Sequence, residues 1–221
     1  MKSEIVMKNL IIKTLVVLMI LSLFAVSVFM VFFPGKTADI CDSLGMTKLS
    51  IQFEKVSYDK TGDINTLASI LNYEIYSGDN EEICEYGMEM LNHKYYAEYV
   101  NFLGANSLTS MSYNVYCETY VLQALYLENM QEEAIAVLSN SISSGYETYG
   151  AGIVLCGDVI NAGDADFAIE MLEIYELYFE SASDIKAYNI TLEAIMLTES
   201  VAESENSVWQ ARLETLNDKF A

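Results

Sequence analysis

Residues 14–33, TLVVLMILSLFAVSVFMVFF, run for twenty positions without a charge. A helix rising ~1.5 Å per residue over that length crosses the ~30 Å hydrocarbon core of a bilayer. Its backbone polar groups are all satisfied within the helix, so nothing else is needed to cross. Pro34, the only proline in the chain, follows with Gly35 and is expected to end the helix where the chain meets water. The sequence thus divides into an arm at 1–13, a transmembrane helix at 14–33, a juxtamembrane linker at 34–42 and a separate domain at 43–221.

Flanking charge sets the expected orientation. Lys2, Lys8 and Lys13 precede the span, whereas Lys36 follows it with Asp39 and Asp42 close behind. The positive-inside rule then places the arm in the cytoplasm and the domain on the far side of the cell membrane. A cleaved signal peptide is the alternative, and it would give a secreted protein. Its apolar region is usually 7–15 residues, shorter than this run. Cleavage after Ala25-Val26-Ser27 would also leave VFMVFF as an exposed new terminus. An uncleaved anchor is the reading adopted. Ser22, Ala25 and Ser27 lack the four-residue spacing of a close-packing helix dimer.

Beyond residue 36 the chain carries 7 Lys+Arg against 31 Asp+Glu. So acidic a surface repels phosphate backbones, and nucleic acid is not expected as a partner. Basic partners would be attracted instead. The acidity does not imply disorder, because Tyr, Phe, Leu, Ile, Val and Met recur throughout and can fill a core.

The domain has an internal period. Asn129-Met130 leads to Ala134-Ile135 and Leu138, and Gly163-Asp164 leads to Ala168-Ile169 and Leu172, a spacing of 34. Gly62-Asp63 leads similarly to Ala68-Ser69-Ile70-Leu71. Gly62 and Gly163 can take the left-handed conformation that stops a helix. Asp63 and Asp164 can then cap the next one. Ala168, Met171, Leu172, Tyr175, Tyr178 and Phe179 recur at three- and four-residue steps, as one buried stripe of a helix does. The expected elements are helix pairs at 43–60 with 64–76, 80–92 with 94–104, 110–128 with 131–143, 148–162 with 165–180, and 185–200 with 205–219. This pattern resembles the tetratricopeptide-repeat superfamily over about residues 43–220, in a degenerate form without its Trp-Leu-Gly-Tyr positions or closing proline. The resemblance implies an all-α antiparallel helix-pair solenoid of about five pairs, the last serving as a cap.

Catalytic chemistry is sparsely represented. His93 is the only histidine, so neither a two-histidine zinc site nor a histidine relay can be built. It falls at a helix junction, where a surface or capping role is expected. No nucleophile elbow, HExxH, phosphate loop or dinucleotide fingerprint occurs. Asp164-x-Asp166 lacks the rest of a calcium loop and reads as a turn. No catalytic, cofactor-binding or metal residue is therefore assigned, and no cofactor is expected. Cys41, Cys84, Cys117 and Cys156 permit two disulfides in three connectivities. Their apolar neighbours favour free, buried thiols. Asn189-Ile190-Thr191 matches a glycosylation sequon placed mid-helix.

Tyrosine is the residue type that raises a functional question. Tyr95, Tyr96, Tyr99, Tyr113, Tyr116 and Tyr120, with Tyr126 beyond, cluster in the middle of the array. Tyr fills space between helices, and it also lines binding grooves because it offers area at low entropic cost. The six are the candidate partner-binding surface. The expected function is a non-catalytic, membrane-tethered scaffold or adaptor that binds a protein or peptide, of basic character if charge guides it. A structural or accessory subunit of a membrane complex is the alternative.

Overall fold

The structure is a computed structural model that describes residues 2–106 and 112–143, and beyond them Val159, Ala162, Asp164, Phe167, Glu170, Met171 and Ile174. The helices expected at 148–162, 165–180, 185–200 and 205–219 therefore lie largely or wholly outside the described residues, as do Cys156 and the Asn189 sequon. Among the described residues there are eight helices and no strand. The chain divides into two compact units, Met1–Tyr73 and Glu74–Ala221.

The first unit opens with α1, Lys2–Phe32. Over Ile12–Phe32 it is long and apolar enough to cross a membrane. Its apolar side chains are exposed on every side; Phe24 and Phe32 are 66% and 70% accessible. A helix apolar around its whole circumference has no water-soluble face and suits a lipid surround. Pro34 ends α1 as expected but also begins α2, Pro34–Ser43, so the stretch read as a linker is helical. The physical reason is positional. Proline lacks the N–H that is unpaired anyway at the first helical residue, and its φ is already helical. The Thr37 N–H and hydroxyl both donate to the Phe33 carbonyl, at 3.0 Å each.

The chain then turns at Leu44-Gly45-Met46, where the helix expected to start at 43 is delayed to α3, Thr47–Thr61. α3 packs back along α2, and the Ser50 hydroxyl donates to the Ala38 carbonyl at 2.8 Å. At its far end the Lys60 ammonium donates to the Val31 carbonyl of α1 at 2.6 Å. Gly62 takes φ +59° and α4, Ile64–Ser77, follows. Asp63 caps it, accepting from the Thr66 N–H and hydroxyl at 2.9 Å each. Burial pushes the Asp63 carboxyl up, but the bonds from Thr66 and Asn65 outweigh it and hold the group below its ordinary value. Ile51, Tyr58, Leu67, Ile70 and Leu71 form the core of this unit.

The second unit contains α5, Asn80–Leu91; α6, Tyr96–Asn106; α7, Tyr113–Leu127; and α8, Gln131–Ser143. Its turns repeat one solution. Asp79 N–H reaches back to the Glu74 carbonyl at 3.3 Å, Met130 to Leu125 at 2.8 Å, and Asp164 to Val159 at 3.0 Å. Each is the six-to-one bond of a closing helix, and in the first two turns it spans a left-handed residue, the first being Gly78 at φ +74°. In the α7–α8 turn that residue is Asn129, at φ +60°. Asn tolerates this conformation better than other residues with a side chain.

Helices α3, α5 and α7 begin at Thr47, Asn80 and Tyr113, two successive steps of 33 residues. The phase extends to burial: Ile51, Cys84 and Cys117 stand 33 apart and are all buried. The packing in the second unit does not follow the same translation. Gly87 faces Val121, and Ile83 shares a cavity with Ala124, so α7 runs antiparallel to α5. Tyr96 meets Cys117, and Tyr99 meets Tyr113, so α7 is antiparallel to α6 as well. Helices α5 and α6 therefore continue in the same general sense around the Asn92–Tyr95 turn, and α7 returns along both. Pairs related by simple translation would set α5 and α7 parallel. The expected antiparallel pairing of 80–92 with 94–104 is replaced by a bent helix covered by one return helix.

Candidate functional site

The return of α7 arranges the tyrosines. Tyr99 of α6 meets Tyr113 edge-on, with ring centroids 5.3 Å apart. Tyr113 leads to Tyr116 at 5.9 Å, and Tyr116 to Tyr120 at 5.1 Å. The positions 113, 116 and 120 are three and four apart, so they lie on one face of α7. Four of the six predicted tyrosines thus form one series that becomes more exposed toward Tyr120. Tyr96 does not join it. It is buried at 5% exposure, with its hydroxyl against the Cys117 sulfur. Tyr95 sits in the α5–α6 turn, where its N–H donates to His93 Nδ1 at 3.3 Å and Lys94 Nζ lies 4.8 Å from its ring centre. The His93 side chain, expected to be a surface or capping residue, bonds within the turn, to a residue that precedes α6.

Burial governs the chemistry of these groups. It raises the Tyr113 phenol far above its usual range, with Cys117, Tyr99 and Tyr116 adding to the effect. It raises Tyr116 too, reinforced by Tyr120 and Cys117. Phenols so shifted remain protonated at physiological pH and act as hydrogen-bond donors and apolar surface, not as bases. The Cys117 thiol is driven well above the thiol range by burial and then by the charge of Glu118. Cys84 is pushed up to about 11, again mainly by burial, with smaller contributions from Glu128 and Glu133. Cys41, Cys84 and Cys117 are free and buried.

Beside the tyrosine series lies a cavity of about 390 Å³. Ile75 and Gly78 line it from the end of α4 and the following turn, and Asn80 and Ile83 from the start of α5. The C-terminal half of α7 supplies Tyr120, Gln123, Ala124, Tyr126 and Leu127, and Ala162 completes the wall. Tyr120 therefore belongs both to the aromatic series and to the cavity. Gly87, one turn further along α5, explains how close the helices come: a Cβ there would overlap the Val121 Cγ2. The wall at Tyr126 is braced from below. Its hydroxyl donates to Asp164 Oδ2 at 3.3 Å, Gln131 Nε2 donates to the same oxygen at 3.0 Å, and the Phe167 ring stacks on Tyr126 at 5.4 Å. Burial first, and then the Asp164 charge and bond, raise the Tyr126 phenol. Asp164 Oδ1 also accepts from the Phe167 N–H at 3.3 Å, the capping role expected from sequence.

The cavity has the size and apolar lining of a small binding site, with a few polar groups at its edge. Sequence reasoning found Tyr120 but missed Asn80, Ile83, Gln123 and Leu127. Their meeting depends on α7 folding back antiparallel, which no periodicity in the sequence encodes. Among the described residues no group of three or more His, Cys, Asp or Glu side chains is placed to hold a metal ion. No family model, curated protein or solved structure matches the chain.

Proposed function

We propose that the chain is a membrane-tethered, non-catalytic binding protein whose helical-repeat domain holds a protein or peptide partner. The observation that carries this reading is the tyrosine-edged apolar cavity between α5 and α7, set in a strongly acidic domain. The 33-residue recurrence of helix starts supports a repeat origin of the tetratricopeptide kind, although α7 is not stacked by translation on α5.

The tether is α1, retained rather than cleaved, with its N-terminus in the cytoplasm and the repeat domain outside the cell membrane. Lys60 supports retention, because the last turn of α1 is bonded to α3. Lys13 and Val31 are 18 residues apart, or about 27 Å along a helix, close to the thickness of a hydrocarbon core. The ammonium groups of Lys13 and Lys60 would then bracket the membrane, each at the level of the headgroups.

The test is a photoreactive amino acid placed at Tyr120 in the full chain, irradiated in intact cells. A discrete adduct that is lost when the probe moves to exposed Glu98 is the expected result. Illumination that yields only the uncrosslinked chain at Tyr116, Tyr120 and Leu127 alike would sink the proposal.

A further inference from the structure

We infer that the cavity takes the aliphatic side chain of a basic segment, with a lysine or arginine beside that anchor held by the carboxylates at the rim. This rests on the binding-protein reading and specifies its partner.

The cavity wall is aliphatic at Ile83, Ala124 and Leu127, so its depth suits a leucine-like side chain better than a charged one. The rim has the opposite character. Exposed Asp79 lies between the lining residues Gly78 and Asn80, and exposed Glu128 directly follows Leu127. The charges of Glu128 and Glu133 are felt at Cys84, the neighbour of Ile83, which places both carboxylates alongside α5. Among the described residues of the second unit, the only Lys or Arg is Lys94. It follows the C-terminal end of α5, whereas the cavity is at the N-terminal end, and it lies over the Tyr95 ring. No described cation of this unit therefore offsets the rim acids.

Tyr120, 38% exposed, presents a ring at the same edge, and a guanidinium or ammonium is attracted to such a face. A carboxylate or phosphate ligand would meet repulsion at every described charge here. An uncharged apolar ligand would leave the rim acids unused. A basic segment with one aliphatic anchor uses both parts.

The test titrates the full chain, in lipid nanodiscs, with a fluorescein-labelled nonapeptide. One leucine is flanked on each side by two lysines in a glycine–serine background. Replacing that leucine by serine is expected to weaken binding roughly tenfold, the scale of burying one aliphatic side chain. Leu127→Ser is expected to weaken the leucine peptide and leave the serine peptide unchanged, whereas Tyr120→Ala is expected to weaken both, because its ring also faces the lysines. Asp79→Asn combined with Glu128→Gln is expected to weaken both peptides and flatten their salt dependence; Asn preserves the cap on α5. Equal affinity for the two peptides, or indifference to Leu127→Ser, overturns the inference by showing diffuse attraction to an acidic surface. A Tyr120 adduct with an acidic partner segment would overturn it too while sustaining the binding-protein reading. The absence of any adduct counts against that reading itself.

Discussion

The Lys60 ammonium donates to the carbonyl of Val31, 29 residues earlier, at 2.6 Å. Pro34 lies three residues beyond Val31 and removes an N–H from the junction between α1 and α2, so carbonyls at the end of α1 need other donors. Lys60 supplies one from a helix that has travelled out along α2 and back. The same contact places a positive charge at the negative end of the α1 dipole.

Replacing Lys60 by methionine keeps the aliphatic stem and deletes the donor. The expected loss is about 1 kcal/mol, the scale of one partly exposed charged hydrogen bond. Lys60→Arg should recover most of it. Thermal unfolding of the full chain in detergent micelles measures both, and equal melting temperatures for wild type and Lys60→Met would show that the bond contributes nothing.

Gly87 and Val121 give a second pair that can be measured directly. Gly87→Ala gains helix propensity of up to about 1 kcal/mol, but the new methyl overlaps a fully buried Val121 side chain. Overpacking of this kind costs about 1–3 kcal/mol, so a net loss is expected. Val121→Ala removes the obstructing methyls, and the double variant should be more stable than the sum of the two single effects predicts. A double-mutant cycle with zero coupling would mean that α5 and α7 do not meet at these residues.

Local chemistry was readable in the sequence, and long-range packing was not. The Gly62-Asp63 turn, the Asp164 cap and the breaks near 62, 78 and 129 follow from what Gly, Asn and Asp do to neighbouring backbone, so each could be placed from a few residues. Pro34 was read as an end when it is also a beginning, since proline at the first helical position and proline after a helix look alike in sequence. The tyrosine series was half legible: the cluster could be named from the sequence, but only the return of α7 along α6 brought Tyr99 to Tyr113, Tyr116 and Tyr120 and took Tyr96 away. The cavity was illegible for the same reason. Its walls are 35 or more residues apart, and the direction of α7 relative to α5 leaves no mark on either helix's own pattern.

The buried thiols should be silent toward reagents that attack thiolates. Cys84 is raised to about 11 and Cys117 further, both chiefly by burial, and Cys41 is only 3% exposed. In a Cys156→Ser background, a disulfide-exchange reagent at pH 8 should therefore label almost nothing until denaturant is added, when three equivalents should react. Rapid labelling of one thiol in the native protein would show that its helix opens easily.

Two carboxylates in the first unit should give opposite pH responses. Asp63 is held below its ordinary value, so its stabilising effect is present above its unfolded value near 3.8 and is lost as pH falls through the lowered folded value. Asp63→Ala should cost about 1 kcal/mol at neutral pH, the usual worth of an N-cap, and less in strong acid. Glu54 is raised, first by burial and then by the charges of Asp42 and Asp39, against a hydrogen bond from Ser69. Its folded state prefers the proton, so its contribution is complete below the unfolded value of 4.5 and declines as pH rises through the folded one. Glu54→Gln should raise the melting temperature near pH 7 and lose that advantage below about pH 4.5. Melting curves of the two variants from pH 3 to 8 should therefore diverge from wild type in opposite directions at neutral pH. A fall in melting temperature for Glu54→Gln at pH 7 would mean that the ionised carboxylate, through Ser69, does more to hold α3 on α4 than its burial costs.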